Sequence, residues 1–317
     1  MKTLFLFLAT ISMFFISKPN KPVTKTPVPP TYEWKRMTNN ADFPKSYNFQ
    51  LFSTGDKVWA FHPQGNWFSS DGKSWTKSPL TNAINNLAFL DYVQFNNAIL
   101  GLGYFNGNIE KYTLTTTIHK TTDFKTWQQI AKSSNLPKRF FYHPVVFKGK
   151  IWIIGGNDGE KLHDDVWNST DGISWQKVAD NMPFGAVDNH QFVVYKNKLY
   201  MLGNDVWSSE DAINWKQETT QITNANLFGY AAVVFDNKIW LLGCNRNRQF
   251  TSQVLVSEDG KIWKEQNAPW SPRGGIAACV HDGKIYMTGG KYGGFTDKSG
   301  TTTEFIYSND VWVLEKK

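Results

Sequence analysis

The sequence predicts an all-β protein made of six copies of one four-stranded unit, and three observations support this. Short alternating apolar runs bounded by Gly, Asn and Asp take the place of long helical patterns. A Ser–Asp–Gly–Trp motif, written STDGISW at 169–175, returns at intervals of 40 to 52 residues. Thirteen of the 14 tryptophans fall at fixed positions within that repeat, and only Trp270 lies outside it.

The first half of each unit is a predicted hairpin, as in FKGKIWIIGG at 147–156. A third strand carries Trp167 at one repeated position, and a fourth strand carries Trp175 eight residues later. The STDGISW motif is then the turn between these two strands, so its Asp is predicted to be architectural and not catalytic. The hairpin turns suit two-residue loops that need positive φ, namely Lys148–Gly149, Lys196–Asn197, Asp236–Asn237 and Asp282–Gly283.

The number of units follows from the two ends of the chain. Only five residues follow Trp312, so the last unit runs out before its fourth strand. YEWKRM at 32–37 matches the fourth strands of the other units and supplies the missing strand. Residues 32–317 are therefore predicted to form a six-bladed β-propeller of four-stranded blades, closed by the N-terminal strand without an open edge. The fourth-strand tryptophans are Trp34, Trp75, Trp127, Trp175, Trp215 and Trp263.

The first 31 residues are predicted to lie outside the propeller. The apolar run from Leu4 to Ile16 predicts that residues 1–17 are a signal peptide or an uncleaved N-terminal anchor. Residues 18–31 hold five of the 13 prolines and predict an extended linker. The propeller is therefore expected to be secreted, periplasmic or on the cell surface.

Charge and cysteine content narrow the partners. The net charge is +7 and the pI about 9.1, but the lysines are scattered and no basic helix is present, so nucleic acid is not expected. A carbohydrate or protein ligand is expected, with membrane contact only through an uncleaved anchor, and the protein is expected to be monomeric. Cys244 and Cys279 lie in apolar contexts and predict buried thiols; no metal-ligand spacing or cofactor motif is found.

Residues 137–178 resemble a kelch repeat. The resemblance rests on Arg139 before the first strand, on Gly155–Gly156 at the end of the second, and on an aromatic residue and a tryptophan eight apart. Residues 271–290 match as well, and the SxDGxxW turn resembles a shortened Asp-box of sialidase propellers. Kelch-like propellers include galactose oxidase, sialic acid mutarotases and protein-binding modules, so the resemblance implies a fold and leaves the function open.

The candidate site is the face where second-to-third-strand loops and blade-to-blade loops emerge, near the axis. Arg139 and Arg273 precede blades three and six, which are opposite in the ring, and are predicted to converge on an anionic ligand. The alternative is that each guanidinium bonds loop carbonyls. The predicted ligand-binding residues are Arg139, His143, Asp188, His190, Tyr230, Arg246, Arg248 and Arg273.

No catalytic set can be assigned from the sequence. Paired carboxylates would need two acidic residues on this face, where only Asp158 and Asp188 are well placed. The copper ligands of galactose oxidase and the nucleophile of a sialidase cannot be assigned either. The chain is therefore predicted to be an exported glycan- or protein-binding module, with the long segments 103–117 and 291–305 as contact surfaces. The alternative is a sugar epimerase or mutarotase acting on an acidic sugar such as sialic acid, because such an enzyme needs only an acid–base pair and a sugar pocket.

Overall fold

The computed structural model describes residues 30–79, 91–108, 111–247, 249–295 and 303–317. The chain divides into two units, Met1–Thr31 and Tyr32–Lys317, and the second is an all-β, six-bladed propeller. The first strands of neighbouring blades contact one another, so they form the inner wall of the ring. No helix among the described residues has the length and apolar character needed to cross a membrane.

The strands, labelled in chain order, are grouped into blades that we number from the blade of Trp59. Blades one to three contain β2 Gln50–Thr54, β3 Lys57–His62, β4 Gly65–Ser69 and β5 Thr76–Lys77; β6 Asp91–Phe95, β7 Ala98–Asn108, β8 Lys111–Thr121 and β9 Gln128–Ala131; and β10 Val145–Phe147, β11 Lys150–Ile154, β12 Val166–Ser169 and β13 Gln176–Ala179. Blades four to six contain β14 Gln191–Tyr195, β15 Lys198–Leu202, β16 Val206–Ser209 and β17 Trp215–Thr219; β18 Leu227–Phe228, β19 Ala231–Phe235, β20 Lys238–Arg246, β21 Gln249–Ser257 and β22 Lys264–Asn267; and β23 Gly274–His281, β24 Lys284–Tyr292, β25 Ile306–Tyr307, β26 Val311–Lys316 and β1 Tyr32–Thr38.

The ring closes between the two ends of the chain, as predicted. β1 pairs antiparallel with β26, with Trp34 opposite Leu314, and this completes blade six in the order β1-β26-β24-β23. Asn309 fastens the segment after β1, because its side-chain amide donates to the carbonyls of Ala41 and Phe43 at 3.0 and 2.9 Å. The outer edge of the last blade is therefore covered.

The repeated Asp turn is architectural, as its sequence predicts. Asp171 accepts backbone N–H bonds from Ile173 and Ser174 at 2.7 and 2.8 Å, and Ser169 accepts one from Gly172. The indole of Trp175 donates to the Gly172 carbonyl and is 4 % exposed. Because the carboxylate is saturated by its own turn, it is not free for chemistry. The same Asp-to-backbone bonds occur at Asp71, Asp123, Asp211 and Asp259.

Two segments expected as loops contain long strands. Residues 103–117 largely continue β7 and β8 into an extended hairpin, and β20 and β21 extend the fifth blade in the same way. The segment 291–305 lies partly outside the described residues. By contrast, only three residues connect β15 to β16, so blade four adds almost no loop to the face where the second-to-third-strand connections emerge. Both cysteines are free and buried.

Candidate functional site

Six residues, one from the start of each inner strand, face the axis and form an inner ring. Five of them lie in first strands that pair with the second strand, and these five occupy equivalent positions. Each lies opposite the same second-strand position, as Asp91 lies opposite Leu102 and Gln191 opposite Leu202. That second-strand position comes two residues after the repeated position that holds Trp59 in blade one. The residues differ between the blades, so one side of the inner ring carries polar side chains and the other side carries small apolar ones. The inner ring consists of Gln50, Asp91, His143, Gln191, Ala231 and Ala277.

The inner ring lines a cavity of about 180 Å³ on the axis. The four polar members come from blades one to four, and the two alanines come from blades five and six. Among the described residues that line the cavity, none is Lys or Arg. The free space therefore lies beside blades five and six, facing a polar wall without a cationic group.

A backbone collar surrounds the mouth of this cavity. Two residues before five of the six inner-ring positions the described chain adopts positive φ, at Asn48, Phe141, Asn189, Gly229 and Gly275. The amide N–H of Asn189 donates to the Phe141 carbonyl at 2.9 Å, that of Gly275 to Gly229 at 2.6 Å, and that of Asn48 to Gly275 at 3.0 Å. The collar thus joins neighbouring blades by backbone hydrogen bonds and fixes the direction in which each inner-ring side chain points.

Asp91 is the acidic member of the inner ring. It is 8 % exposed, and no hydrogen bond from the described residues reaches its carboxylate. Burial without such a bond raises the pKa of Asp91 to about 7, because the charged form loses its hydration. A buried carboxyl group that faces a cavity and has no hydrogen-bond partner is a typical binding or acid–base group.

His143 stands beside Asp91, with 3.7 Å between its Nδ1 and the Asp91 Oδ1. The pKa of His143 is lowered to about 4, mainly by burial and in part by the neighbouring His190, while the charge of Asp188 acts in the opposite direction. At neutral pH the pair therefore consists of an uncharged imidazole and a carboxyl group near its midpoint. One group can accept a proton while the other donates one, which is the arrangement that general acid–base chemistry requires.

Asp188 and His190 lie behind His143 and do not line the cavity. The His190 Nδ1 donates to the Asp188 carbonyl at 2.6 Å, and the Asp188 carboxylate accepts from Asn157 at 3.3 Å. The imidazole of His190 also covers Gly203, where a Cβ would come within 2.6 Å of the ring. These two predicted ligand residues therefore influence the charge of His143 from behind and are not part of the cavity wall. Asp158, the second well-placed carboxylate of the sequence prediction, instead contacts His163 at 2.7 Å.

Tyr230 lines the cavity with its ring, but its hydroxyl is engaged elsewhere. It donates to the Leu202 carbonyl of blade four at 2.6 Å, just as Tyr142 of blade three donates to Leu102 of blade two at 2.8 Å. Gln50 is held similarly, since its amide exchanges hydrogen bonds with the backbone of Tyr92 at 2.9 and 3.3 Å. These side chains join neighbouring blades, so within the described inner ring the polar side chains that remain open to a ligand are those of Asp91, His143 and Gln191.

Arg139 and Arg273 do not line the cavity. Arg139 forms a bidentate pair with Asp165, with 2.9 Å between its Nη2 and Oδ2, and its side chain is 6 % exposed. Arg273 pairs in the same way with Asp310, at 3.1 Å for the second bond. The two guanidinium groups are neutralised within their own blades, so the geometry favours a structural role over the predicted convergence on one ligand.

The aspartates of these pairs belong to a repeated sequence that explains them. Asp165, Asp205 and Asp310 each begin an Asp–Val–Trp triplet, and each accepts the indole N–H of the tryptophan two residues later, at 2.9, 2.6 and 2.8 Å. Arg139 and Arg273 add a second donor in blades three and six. The triplet could have identified the arginine partners from the sequence.

Of the remaining two predicted arginines, only Arg246 is among the described residues. Arg246 ends β20, pairs with Glu265 at 2.7 Å, and is not part of the cavity wall. Arg248 lies outside the described residues. Within the described chain there is no group of three His, Cys, Asp or Glu side chains that could hold a metal ion.

The sequence prediction missed Asp91 and Gln191. The signal for them is positional: once the second-strand residues are aligned, the equivalent inner-ring position of every blade is fixed, and the polar residues at that position can be identified. Composition cannot identify them, because the site is defined by how the blades differ and not by what they repeat.

Comparison with known proteins supports the fold. A family model described as the DUF6242 beta propeller domain matches residues 125–310, more than half of the chain. Many solved chains match the architecture, and one, entitled "Structure of YjhT", has a TM-score of 0.70 at 10 % identity, covering 89 % of this chain and 99 % of that one. At that identity the likeness concerns the fold alone. No curated protein sequence matches significantly.

Proposed function

We propose, on the premise that the chain belongs to the family of the DUF6242 beta propeller domain, that it is a binding protein. It holds one small neutral, hydroxyl-rich ligand, a single sugar unit, in the axial cavity. The observation that carries the proposal is Asp91, a buried carboxyl group without a hydrogen-bond partner among the described residues, aimed into a cavity on the axis. A hydroxyl group of a ligand would satisfy it.

The size and the charge of the cavity support a small neutral ligand. Its volume of about 180 Å³ lies below the roughly 300–1,000 Å³ typical of pockets for larger ligands. Asp91 and His143 are both stabilised in their uncharged forms, and no described lining residue is a cation, so an acid such as sialic acid is disfavoured inside the cavity itself. A protein surface would be too large to enter it.

Titration calorimetry with neutral monosaccharides, with glucuronate and sialic acid as acidic comparisons, tests this proposal. We expect neutral sugars to bind, and Asp91→Ala to weaken them about tenfold to a hundredfold, since it removes a hydrogen bond to an ionisable group. Alanine is already the inner-ring residue of blades five and six, so the substitution fits the fold. The control is Asp56→Ala, an exposed carboxylate on a hairpin turn. Equal binding by Asp91→Ala and the unaltered chain would contradict the proposal.

A second function, sugar mutarotation or epimerisation, is favoured by the Asp91–His143 pair. Mutarotation needs a base to remove the proton of the anomeric hydroxyl and an acid to protonate the ring oxygen as its bond to the anomeric carbon breaks. Asp91 is protonated below a pKa of about 7 and His143 is deprotonated above about 4, so the rate would be greatest between these pH values. Exchange between anomers, followed by NMR with a bound neutral sugar, tests this. Unchanged exchange when protein is added would leave binding as the function.

The remaining features fit an exported kelch-like module. The diglycines at Gly155–Gly156 and Gly289–Gly290, both with positive φ, support kelch-type blades, and the Asp-to-backbone bonds support an Asp-box-like turn. The apolar run of residues 4–16 would direct the chain out of the cytoplasm. Fractionation of cells that produce the full chain tests the location, and recovery in the cytoplasm would contradict it.

A further inference from the structure

Six aromatic side chains lie beside the cavity on the rim formed by blades five, six and one, and we call this surface the aromatic shelf. Tyr292 and Phe305 are 40 and 43 % exposed. Exposed aromatic patches of this kind are uncommon unless they contact a partner or ligand. The aromatic shelf consists of Tyr47, Phe250, Tyr292, Phe295, Phe305 and Tyr307.

The aromatic shelf has two halves on either side of the end of β24. On the side of blade five, the Tyr292 and Phe250 rings are 6.0 Å apart and the Tyr292 and Phe295 rings 5.3 Å apart. On the side of blade one, Tyr47 stacks on Tyr307 at 5.6 Å and 27°. The halves present ring faces and edges at the mouth of the ring.

Lys291 lies between the two halves. Its ammonium is 4.2 Å from the Tyr47 ring centroid and 4.4 Å from that of Phe305. Among the described residues no carboxylate lies within ion-pair distance of it, and burial lowers its pKa. A cation held by rings alone keeps its hydrogen-bonding capacity for an incoming anion.

The aromatic shelf is continuous with the axial cavity. Lys291 pairs with Gly274, whose neighbour Gly275 lines the cavity. A Cβ at Gly274 would come within 2.9 Å of Phe250, and one at Gly275 within 3.1 Å of Tyr47, so both halves reach the cavity wall. Blades five and six, where the inner ring has alanines, border the aromatic shelf. A ligand that fills the free space of the cavity beside these blades can therefore extend directly onto the aromatic shelf.

We propose that the aromatic shelf is a second subsite, which holds a carboxylate-bearing sugar linked to a neutral sugar in the axial cavity. The inference rests on the proposed function, because the cavity must hold the first unit. The apolar face of a sugar ring packs on Tyr292 and Phe250, and the carboxylate bonds to Lys291. The ligand class is therefore an acidic glycan with a neutral terminal unit, bound end-on.

Titration calorimetry of the full chain with three probes tests the second subsite. The probes are N-acetylglucosamine, chitotetraose, and a hyaluronan tetrasaccharide, which places a glucuronate next to a neutral terminal unit. We expect the hyaluronan tetrasaccharide to bind about tenfold more tightly than the monosaccharide, and chitotetraose to fall between them. Tyr292→Ala should weaken both tetrasaccharides about fivefold without changing monosaccharide binding. Lys291→Met should abolish only the preference for hyaluronan over chitotetraose.

Two control variants remove side chains of the same chemical kind at positions outside the aromatic shelf. Lys77→Met removes another ammonium that lies over an aromatic ring, 5.1 Å from Trp67, and Ile262→Ala removes an apolar side chain that is 69 % exposed. Both should bind all three probes normally. Tetrasaccharides no tighter than the monosaccharide would overturn the second subsite and leave the proposed function standing. If none of the three probes binds, both the second subsite and the proposed function are overturned. A tetraglutamate peptide that binds as tightly as the hyaluronan tetrasaccharide would show that the aromatic shelf recognises acidic protein instead.

Discussion

Trp34 meets Trp270 edge-on, with their ring centroids 4.4 Å apart and their ring planes at 89°. Trp270 also contacts Trp312 of β26, at 6.1 Å. The one tryptophan outside the repeat register therefore packs against the strand that closes the ring. It is buried, whereas Trp34 is only partly covered, so the connection between blades five and six protects the N-terminal strand.

Removal of residues 32–40 should destabilise the propeller severely. The deletion exposes the edge of β26, uncovers the buried Trp270 and removes the partly covered Trp34, whose loss alone costs at most the roughly 3–5 kcal/mol of a fully buried tryptophan. Thermal melting of a chain that begins at residue 41, beside one that begins at residue 31, measures the effect. The longer chain keeps all of β1, and equal melting temperatures would show that the closure adds nothing.

Arg139→Ala and Arg273→Ala should each lower the stability by about 3–5 kcal/mol and leave sugar affinity unchanged. Each change leaves a largely buried aspartate, Asp165 or Asp310, without its charged partner. Lys177→Ala, which breaks an exposed pair with Asp180, is the control and should cost about 0–1 kcal/mol. Melts and titrations on the same variants decide the matter: lost affinity at unchanged stability would return the arginines to the binding site.

Gly172→Ala should be more destabilising than Gly185→Ala. The two glycines have nearly the same φ, +77° and +76°, so both substitutions impose the same left-handed strain of about 1–2 kcal/mol. At Gly172 a Cβ would also collide with Leu100 of the neighbouring blade, which adds about 1–3 kcal/mol, whereas nothing lies near Gly185. Chemical denaturation of the pair measures the difference, and equal losses would mean that the neighbouring blade yields at no cost.

Asp91→Asn should stabilise the folded protein above pH 7. The folded-state pKa of about 7 exceeds the ordinary value of 3.8 for an aspartate, so the folded state binds more protons between these pH values and loses stability as the pH rises through them. This difference in pKa corresponds to at most about 4 kcal/mol. Melting temperatures of both proteins from pH 4 to pH 8 should diverge with rising pH. Parallel curves would show that the carboxyl group is not desolvated.

His62 should produce the opposite dependence. Burial among Phe43, Phe49 and Trp67 lowers its pKa to about 4 from 6.5, so the unfolded state binds more protons and stability falls as the pH drops from 6.5 towards 4. His62→Phe keeps the aromatic packing and removes the titration, and should flatten this acid limb in melts at pH 4 to 7. His281→Phe, at another buried histidine, is the control substitution, and an acid limb that remains unchanged in His62→Phe would contradict the prediction.

The repeat was predictable because it is written into residues that every blade needs. Trp175 and Asp171 serve the same packing and the same turn in each copy, so their spacing revealed the blade count and the closure through Trp34. Hairpin turns such as Lys148–Gly149 could equally be predicted from the sequence, because positive φ restricts which residues a turn position accepts.

The candidate site was less predictable because it depends on differences between the blades. His143 and Tyr230, which the repeat register assigns to the site, line the cavity, and their role in binding remains a prediction because the Tyr230 hydroxyl bonds to the neighbouring blade. Arg139 drew attention as a charge near the axis, and its partner Asp165 lies 26 residues later, where only the repeated Asp–Val–Trp triplet marks it. Asp91 carries no motif at all, and its properties come from the burial that the fold creates.

The pairing of β1 with β26 has a consequence for the order of events during synthesis. The first strand of the propeller has its partner about 280 residues later, as the bond between Lys35 and Glu315 illustrates. Contacts of such long sequence separation slow folding, because the entropy of closing the loop must be overcome before they form. Five blades can assemble while the chain is still growing, but the sixth cannot be completed until β26 has been synthesised and has left the ribosome. The nascent propeller therefore carries β1 without its partner until that point, and it gains its full stability only when β26 pairs with β1.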